Sequence, residues 1–183
     1  MEISKIFFNT KNSSEVEIRS PKESDSENFI SYLFKTAGET EFIYRYPEEC
    51  HVYTPEKAKQ LFKTINESET EAMLLCLKDN EVIGDCRISW NKRIKTKHRA
   101  SLSIAILQEY WSQGVGSKLL TEAIRLASHN KDITQIELDF VEGNSRSRAL
   151  YEKFGFRITG VKPNAIRLRN GKLLNEYSMV KEF

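Results

Sequence analysis

The stretch 101–156, SLSIAILQEYWSQGVGSKLLTEAIRLASHNKDITQIELDFVEGNSRSRALYEKFGF, decides the fold. It opens within a strand, Ala100–Leu107, and runs through a glycine-bearing turn, Glu109-Tyr110-Trp111-Ser112-Gln113-Gly114-Val115-Gly116-Ser117. A helix follows from about Gly116 to Ser128, with Leu119, Leu120, Ala123, Ile124 and Ala127 at the i, i+3/i+4 spacing of a buried stripe. Strand Gln135–Val141 alternates Ile136, Leu138 and Phe140 with Glu137 and Asp139. A second helix runs from about Asn144 to Phe154, and Gly155 stands where a helix commonly stops.

Outward from this unit the pattern changes to hairpins. Upstream, Ala72–Lys78 and Val82–Trp90 read as two strands joined at Asp79-Asn80. Downstream, Phe156–Phe183 reads as a hairpin around Asn170-Gly171, a type I′ signal. Near the N-terminus two short strands, within Met1–Asn12 and at Glu15–Arg19, precede a helix from about Asp25 to Ala37. Ser24 and Glu27 have capping-box spacing for that helix, and Gly38 ends it. Thr54-Pro55-Glu56 starts another helix, reaching about Glu67. No repeat or linker interrupts the chain, so the expectation is a single domain over residues 1–183. Its class is mixed α/β, with a partly antiparallel sheet flanked by helices.

Composition narrows the function. With 28 Lys+Arg against 26 Asp+Glu the net charge is +2, which does not mark a protein drawn to polyanions as a whole. At 39% hydrophobic and 30% charged the chain is globular. No apolar run reaches the ~20 residues of a spanning helix, and Ile6-Phe7-Phe8 is too short for a signal-peptide core, so a cytoplasmic location without membrane contact is expected. Cys50, Cys76 and Cys86 form no CxxC pair, and His51, His98 and His129 form no HExxH motif. Neither a disulfide framework nor a metal site is expected. Lys92, Arg93, Lys95, Lys97 and Arg99 make a basic run without interleaved aromatics for base stacking, so it reads as a solvated hairpin loop and nucleic acid is not expected as a partner.

The turn at residues 111–117 offers chemistry. Its glycines permit a tight bend, and N–H groups at a helix start have no intrahelical acceptor and suit a phosphate. A plain strand-to-helix turn would look similar. The dinucleotide spacing G-x-G-x-x-G fails because Leu119 stands at its third glycine, and G-x-x-x-x-G-K-[ST] fails too. A phosphate-bearing ligand other than NAD or ATP is indicated.

The pair W-S-Q-G-V-G at 111–116 and N…ALYEKFGF at 144–156, at this mutual distance, resembles the GNAT acyl-CoA N-acyltransferase superfamily. Weaker similarity extends from about Ile18 to Met179. The family's first motif position is usually Arg or Gln and here is Trp111, but main-chain amides do most of the pyrophosphate work. The resemblance implies acetyl-CoA as co-substrate. Its pyrophosphate would lie on Trp111, Ser112, Gln113, Gly114, Val115, Gly116 and Ser117, and its pantetheine arm along Ile104, Ala105 and Ile106. It also implies that the strand matching Ser101–Leu107 splays from its parallel neighbour. Tyr151 matches the tyrosine that protonates the departing thiolate. Asn144, a natural helix cap, matches a contact to the pantetheine or cysteamine arm.

The expected reaction is acetyl transfer to a primary amine of a small molecule or protein, by direct attack in a ternary complex. The amine must shed a proton, and Glu41, Glu48, Glu49, Asp85, Glu137 and Asp139 are candidate bases. Glu41 is the first choice because the loop after the first helix helps build the family's acceptor pocket, where Phe42, Tyr44 and Tyr46 would form walls. The rival readings are a catalytically silent CoA-binding regulatory module and an RNA- or ribosome-associated factor. Dimers are common in the superfamily, which leaves a homodimer open.

Overall fold

A computed structural model describes residues 1–183. The elements in chain order are β1 (Ile6–Asn9), β2 (Glu15–Arg19), α1 (Ser26–Glu39), α2 (Pro55–Glu67), β3 (Glu71–Lys78), β4 (Glu81–Trp90), β5 (Arg99–Ile106), α3 (Val115–Ser128), β6 (Gln135–Val141), α4 (Ser145–Lys153), β7 (Arg157–Arg167) and β8 (Leu173–Glu182). Eight strands form one sheet in the order β1-β2-β3-β4-β5-β6-β8-β7. Every neighbouring pair is antiparallel except β5–β6.

The strand interiors follow from coverage on both faces. In β3 the run Ala72–Leu77 is buried throughout, because helices lie on either side of the sheet. On one face Tyr32 of α1 bonds the Asp85 side chain of β4. Phe29 and Phe62 meet edge to face at 5.2 Å, joining α1 to α2. On the other face α3 crosses β4 and β5 so closely that a Cβ on Gly84 would lie 3.6 Å from Leu119 Cδ1. The α3 stripe read from the sequence is buried at Leu119, Leu120, Ala123 and Ala127.

Caps explain most boundaries. Thr54 Oγ1 accepts from the Lys57 N–H at 3.3 Å, with Pro55 opening α2. The Ser24 capping box does not form. A short 3-10 turn occupies Glu23–Asp25, and the Asp25 carboxylate accepts from the Lys22 N–H and binds the buried Arg19 guanidinium through two bonds of 2.6 and 2.9 Å. That buried bidentate pair outweighs a local cap. Gly38 lies inside the last turn of α1, which ends one residue later. Asp79 and Asn80 both take positive φ, as a type I′ turn requires. Of the Asn170-Gly171 pair only Gly171 does, with its N–H bonded to Leu168 O, so this connection is a type I turn followed by a left-handed glycine.

The feature that positions the site is in the middle of the sheet. β5 pairs with β6 only at Arg99↔Gln135, Ala100↔Ile136 and Ser101↔Glu137. On its other edge β5 stays paired with β4 as far as Gly84↔Ile106. Past Ser101 the parallel strands diverge, as the resemblance implied. No helix is long and apolar enough to cross a membrane.

Candidate functional site

The divergence of β5 and β6 opens a cleft of about 1160 Å³. Its walls are the free edge of β5, the turn before α3, α4, and the segment between α1 and α2. Leu107 donates its N–H to Ile83 O, so with two-residue periodicity the N–H groups of Ala105 and Ser103 also face β4. Those of Ile104 and Ile106 therefore face the gap that β6 has left. The Ile106 carbonyl accepts from the Trp111 indole at 2.8 Å, which ties the turn to the strand.

The turn itself holds a row of unspent donors. The Trp111 N–H bonds Gln108 O and the Lys118 N–H bonds Gly114 O. Between them, none of the N–H groups of Ser112–Ser117 donates to a protein acceptor. Gly114 makes this possible with a left-handed φ of 96°. Gly116 permits close approach, since a Cβ there would lie 3.0 Å from Ile106 Cδ1 and 3.1 Å from Leu150 Cδ2. Outside the turn, Lys11 N–H donates to Gln113 O at 3.0 Å. The Arg146 guanidinium bonds Ser112 Oγ and lies 4.8 Å above the Trp111 ring, adding positive charge to the helix start. The observed groups fit a diphosphate: main-chain donors, a helix N-terminus and an adjacent Arg.

From β5, Ile104, Ala105 and Ile106 line the cleft, and from the turn Trp111, Ser112, Gly114, Gly116 and Ser117. Two expected contacts are main-chain only. The Val115 side chain is fully buried in the core, and the Gln113 amide is spent on Glu109 O at 2.6 Å. Asn144 and Tyr151 line the same cleft at α4. Asn144 Oδ1 caps α4 through the Ser147 N–H at 3.1 Å, leaving its amide nitrogen without a protein acceptor. Tyr151 is buried between Phe140 and Phe156, with ring centroids 6.3 and 6.0 Å away. Burial, with Cys86 nearby, holds the phenol pKa well above its ordinary value, so the group keeps its proton at neutral pH.

Glu41 is not among the residues brought together here. It is exposed and lines a separate shallow depression with Glu48 and Arg169. The carboxylates on the cleft wall are Asp85 and Asp139. Asp139 is exposed and engaged by Lys162 at 3.1 Å and by Ser178 Oγ at 2.6 Å. Asp85 stands opposite Ala105 in the β4–β5 ladder, one residue from the free amides of β5. It accepts from the Tyr32 hydroxyl at 2.7 Å. Burial pushes its pKa up to about 6, against the opposing pull of the Tyr32 bond and the charges of Arg45 and Arg87. Of the aromatic residues expected in the acceptor wall, Phe42 and Tyr44 line the cleft, and Tyr46 faces the shallow depression.

The three cysteines are buried free thiols. Burial pushes Cys76 up to about 12 and Cys86 well above its usual value, which suits packing and not nucleophilic attack. No three His, Cys, Asp or Glu side chains are placed to hold a metal ion. In the basic run, Lys92, Lys97 and Arg99 pair with Glu69, Asp132 and Glu137.

Comparisons with known proteins bear on the family and the fold. Residues 15–157 match the family model described as an acetyltransferase (GNAT) domain. An L-amino acid N-acetyltransferase of Escherichia coli (strain K12) is 28% identical over 109 residues, covering 60% of this chain and 66% of that protein, just under two thirds of its length. A GNAT-family acetyltransferase from Streptococcus pneumoniae superposes with a TM-score of 0.85 at 26% identity, covering 92% of this chain and 99% of that one. An acetyltransferase from Salmonella typhimurium, solved with its cofactor acetyl-CoA, shares the fold with a TM-score of 0.76 at 16% identity, covering 92% and 94%.

Proposed function

Because the chain belongs to the GNAT acetyltransferase domain family, we propose that it moves an acetyl group from acetyl-CoA to a primary amine, by direct attack of the amine in a ternary complex. The observation that carries this reading is the continuity of two sets of unspent donors. The N–H groups of Ser112–Ser117 suit the diphosphate, and those of Ile104 and Ile106 suit the amide-rich arm and the thioester carbonyl. Acetyl-CoA supplies an acyl group activated by a thiolate leaving group.

The residues then have distinct tasks. An N–H of Ile104 or Ile106 hydrogen-bonds the carbonyl oxygen as negative charge builds on it. Asp85, one ladder position away, accepts the proton of the attacking amine. Tyr151 holds a proton at its hydroxyl for the departing sulfur, and Asn144 offers its amide nitrogen to the arm. Glu41, outside the cleft, has no task in this scheme. The Escherichia coli relative takes L-amino acids by its name, which favours a small-molecule acceptor.

The test is calorimetry with CoA alongside thiol release from acetyl-CoA over a panel of amines. Wild type binds CoA and releases thiol in an amine-dependent way. Tyr151→Phe keeps its CoA affinity and loses about 10²-fold in kcat. Absence of CoA binding at millimolar concentration, or an unchanged kcat in the variant, would overturn the reading.

A further inference from the structure

At the end of the cleft remote from the turn, the charges on the wall are Arg45, Lys57 and Arg87 against Asp85 and Asp139, the last held by Lys162. Two of the three cations already have partners. Arg87 pairs with Glu71, and Lys57 Nζ donates to Val52 O at 2.8 Å. Arg45 has none. It forms no ion pair and no side-chain hydrogen bond with any protein group, and its Nε is buried without an acceptor. It lies 5.8 Å from the Tyr53 ring centroid, close enough to Asp85 for its charge to act on that carboxyl. A buried guanidinium nitrogen without an acceptor is costly, and its planar fork matches a planar oxyanion such as a carboxylate through two parallel bonds.

We propose that Arg45 binds an oxyanion carried by the acceptor, so that the substrate is a small amine bearing a carboxylate close to its amino group, of the free amino acid type. This deepens the reading above and rests on it. Asp85 and Arg45 then engage opposite ends of one zwitterion: the carboxylate of Asp85 takes the ammonium and its proton, and the guanidinium holds the carboxylate. Polyamines and aminoglycosides, with several positive charges and no anion, leave Arg45 without a counter-charge and bring further cations beside it. A protein N-terminus presents an amide where the free amino acid presents its anion, and leaves Arg45 still unpartnered.

The experiment compares thiol release from acetyl-CoA with a set of free L-amino acids, their carboxamides and spermidine, for wild type, Arg45→Gln and Arg45→Lys. Expected is a kcat/KM for the best free acid at least about tenfold above that of its carboxamide and of spermidine. Arg45→Gln raises KM for the acid by about 10- to 100-fold and leaves KM for the carboxamide and affinity for CoA unchanged; any change in kcat is shared by acid and carboxamide, because the Arg45 charge no longer acts on Asp85. Arg45→Lys recovers part of the loss. A preference for carboxamide or spermidine, or an equal effect of Arg45→Gln on the KM values of acid and carboxamide, overturns the proposal. If CoA binds and no amine is turned over, the acetyl-transfer reading fails separately. Calorimetry with the N-acetylated amino acid then decides on Arg45: weaker binding by Arg45→Gln supports its role, and equal binding removes it.

Discussion

Asp85 carries its charge at a cost to the fold. Its carboxyl pKa is raised by burial to about 6, from an ordinary aspartate value of 3.8. A carboxyl whose folded pKa exceeds its unfolded one holds its proton more firmly in the folded state. The contribution of Asp85 to stability is therefore greatest below the lower value and is lost as pH climbs from 3.8 through about 6. Asp85→Asn keeps an acceptor for the Tyr32 hydroxyl and removes the buried charge. Thermal melts should show the variant gaining stability at pH 8 relative to pH 5, while kcat/KM falls by about 10²- to 10⁴-fold. The wild-type acid limb should inflect near pH 6, and the variant should lack that inflection; a variant with wild-type kcat would remove Asp85 from the chemistry. The sequence held a signal for this residue: a lone acid within Val82-Ile83-Gly84-Asp85-Cys86, where the strand is otherwise apolar and Asp is disfavoured. Glu41 drew attention by its aromatic neighbours, but whether a loop carboxylate turns toward a cleft depends on contacts remote in sequence. Arg45 left no local mark, since its significance is the absence of a partner.

The loop between α1 and α2 is fixed by an element that enters more than a hundred residues later. The Tyr46 hydroxyl accepts from the Arg169 N–H at 3.0 Å, while the Arg169 guanidinium lies 4.1 Å above the Tyr46 ring and pairs with Glu48. A second tie runs from Tyr44 to Glu176 on β8, which also holds Lys162 of β7 at 2.6 Å. The β7–β8 hairpin thus clasps the segment that carries Arg45. The Arg169–Glu48 pair is exposed, and exposed pairs add little to global stability. Arg169→Ala should therefore leave Tm nearly unchanged and raise acceptor KM several-fold without altering CoA affinity, as steady-state kinetics and calorimetry would check. Equal KM values would mean that the clasp does not order the loop. Local signals placed the helix at Thr54-Pro55 correctly because the cap and its partner are three residues apart. The Ser24 reading failed because Asp25 was claimed by Arg19, whose burial no local pattern reveals.

Across the whole molecule, the order of elements was legible because strand and helix periodicities differ and each boundary has its punctuation. The strand order was not, since β8 inserts between β6 and β7, its residues 176–182 pairing with the whole of β6, Gln135–Val141. The break in the sheet was expected from family resemblance alone; no residue between Ser101 and Ile106 announces it. Its consequence is an edge in the sheet interior, where every second amide of β5 faces a gap. In deuterated buffer the free protein should therefore show an alternation along one strand: Ser103 and Ala105 slow, held by β4, with Ile104 and Ile106 fast. Adding CoA should slow the fast pair selectively, which residue-resolved NMR would detect. A strand uniformly protected before ligand arrives would mean that water never reaches the gap and that β5 and β6 stay closed beyond Ser101.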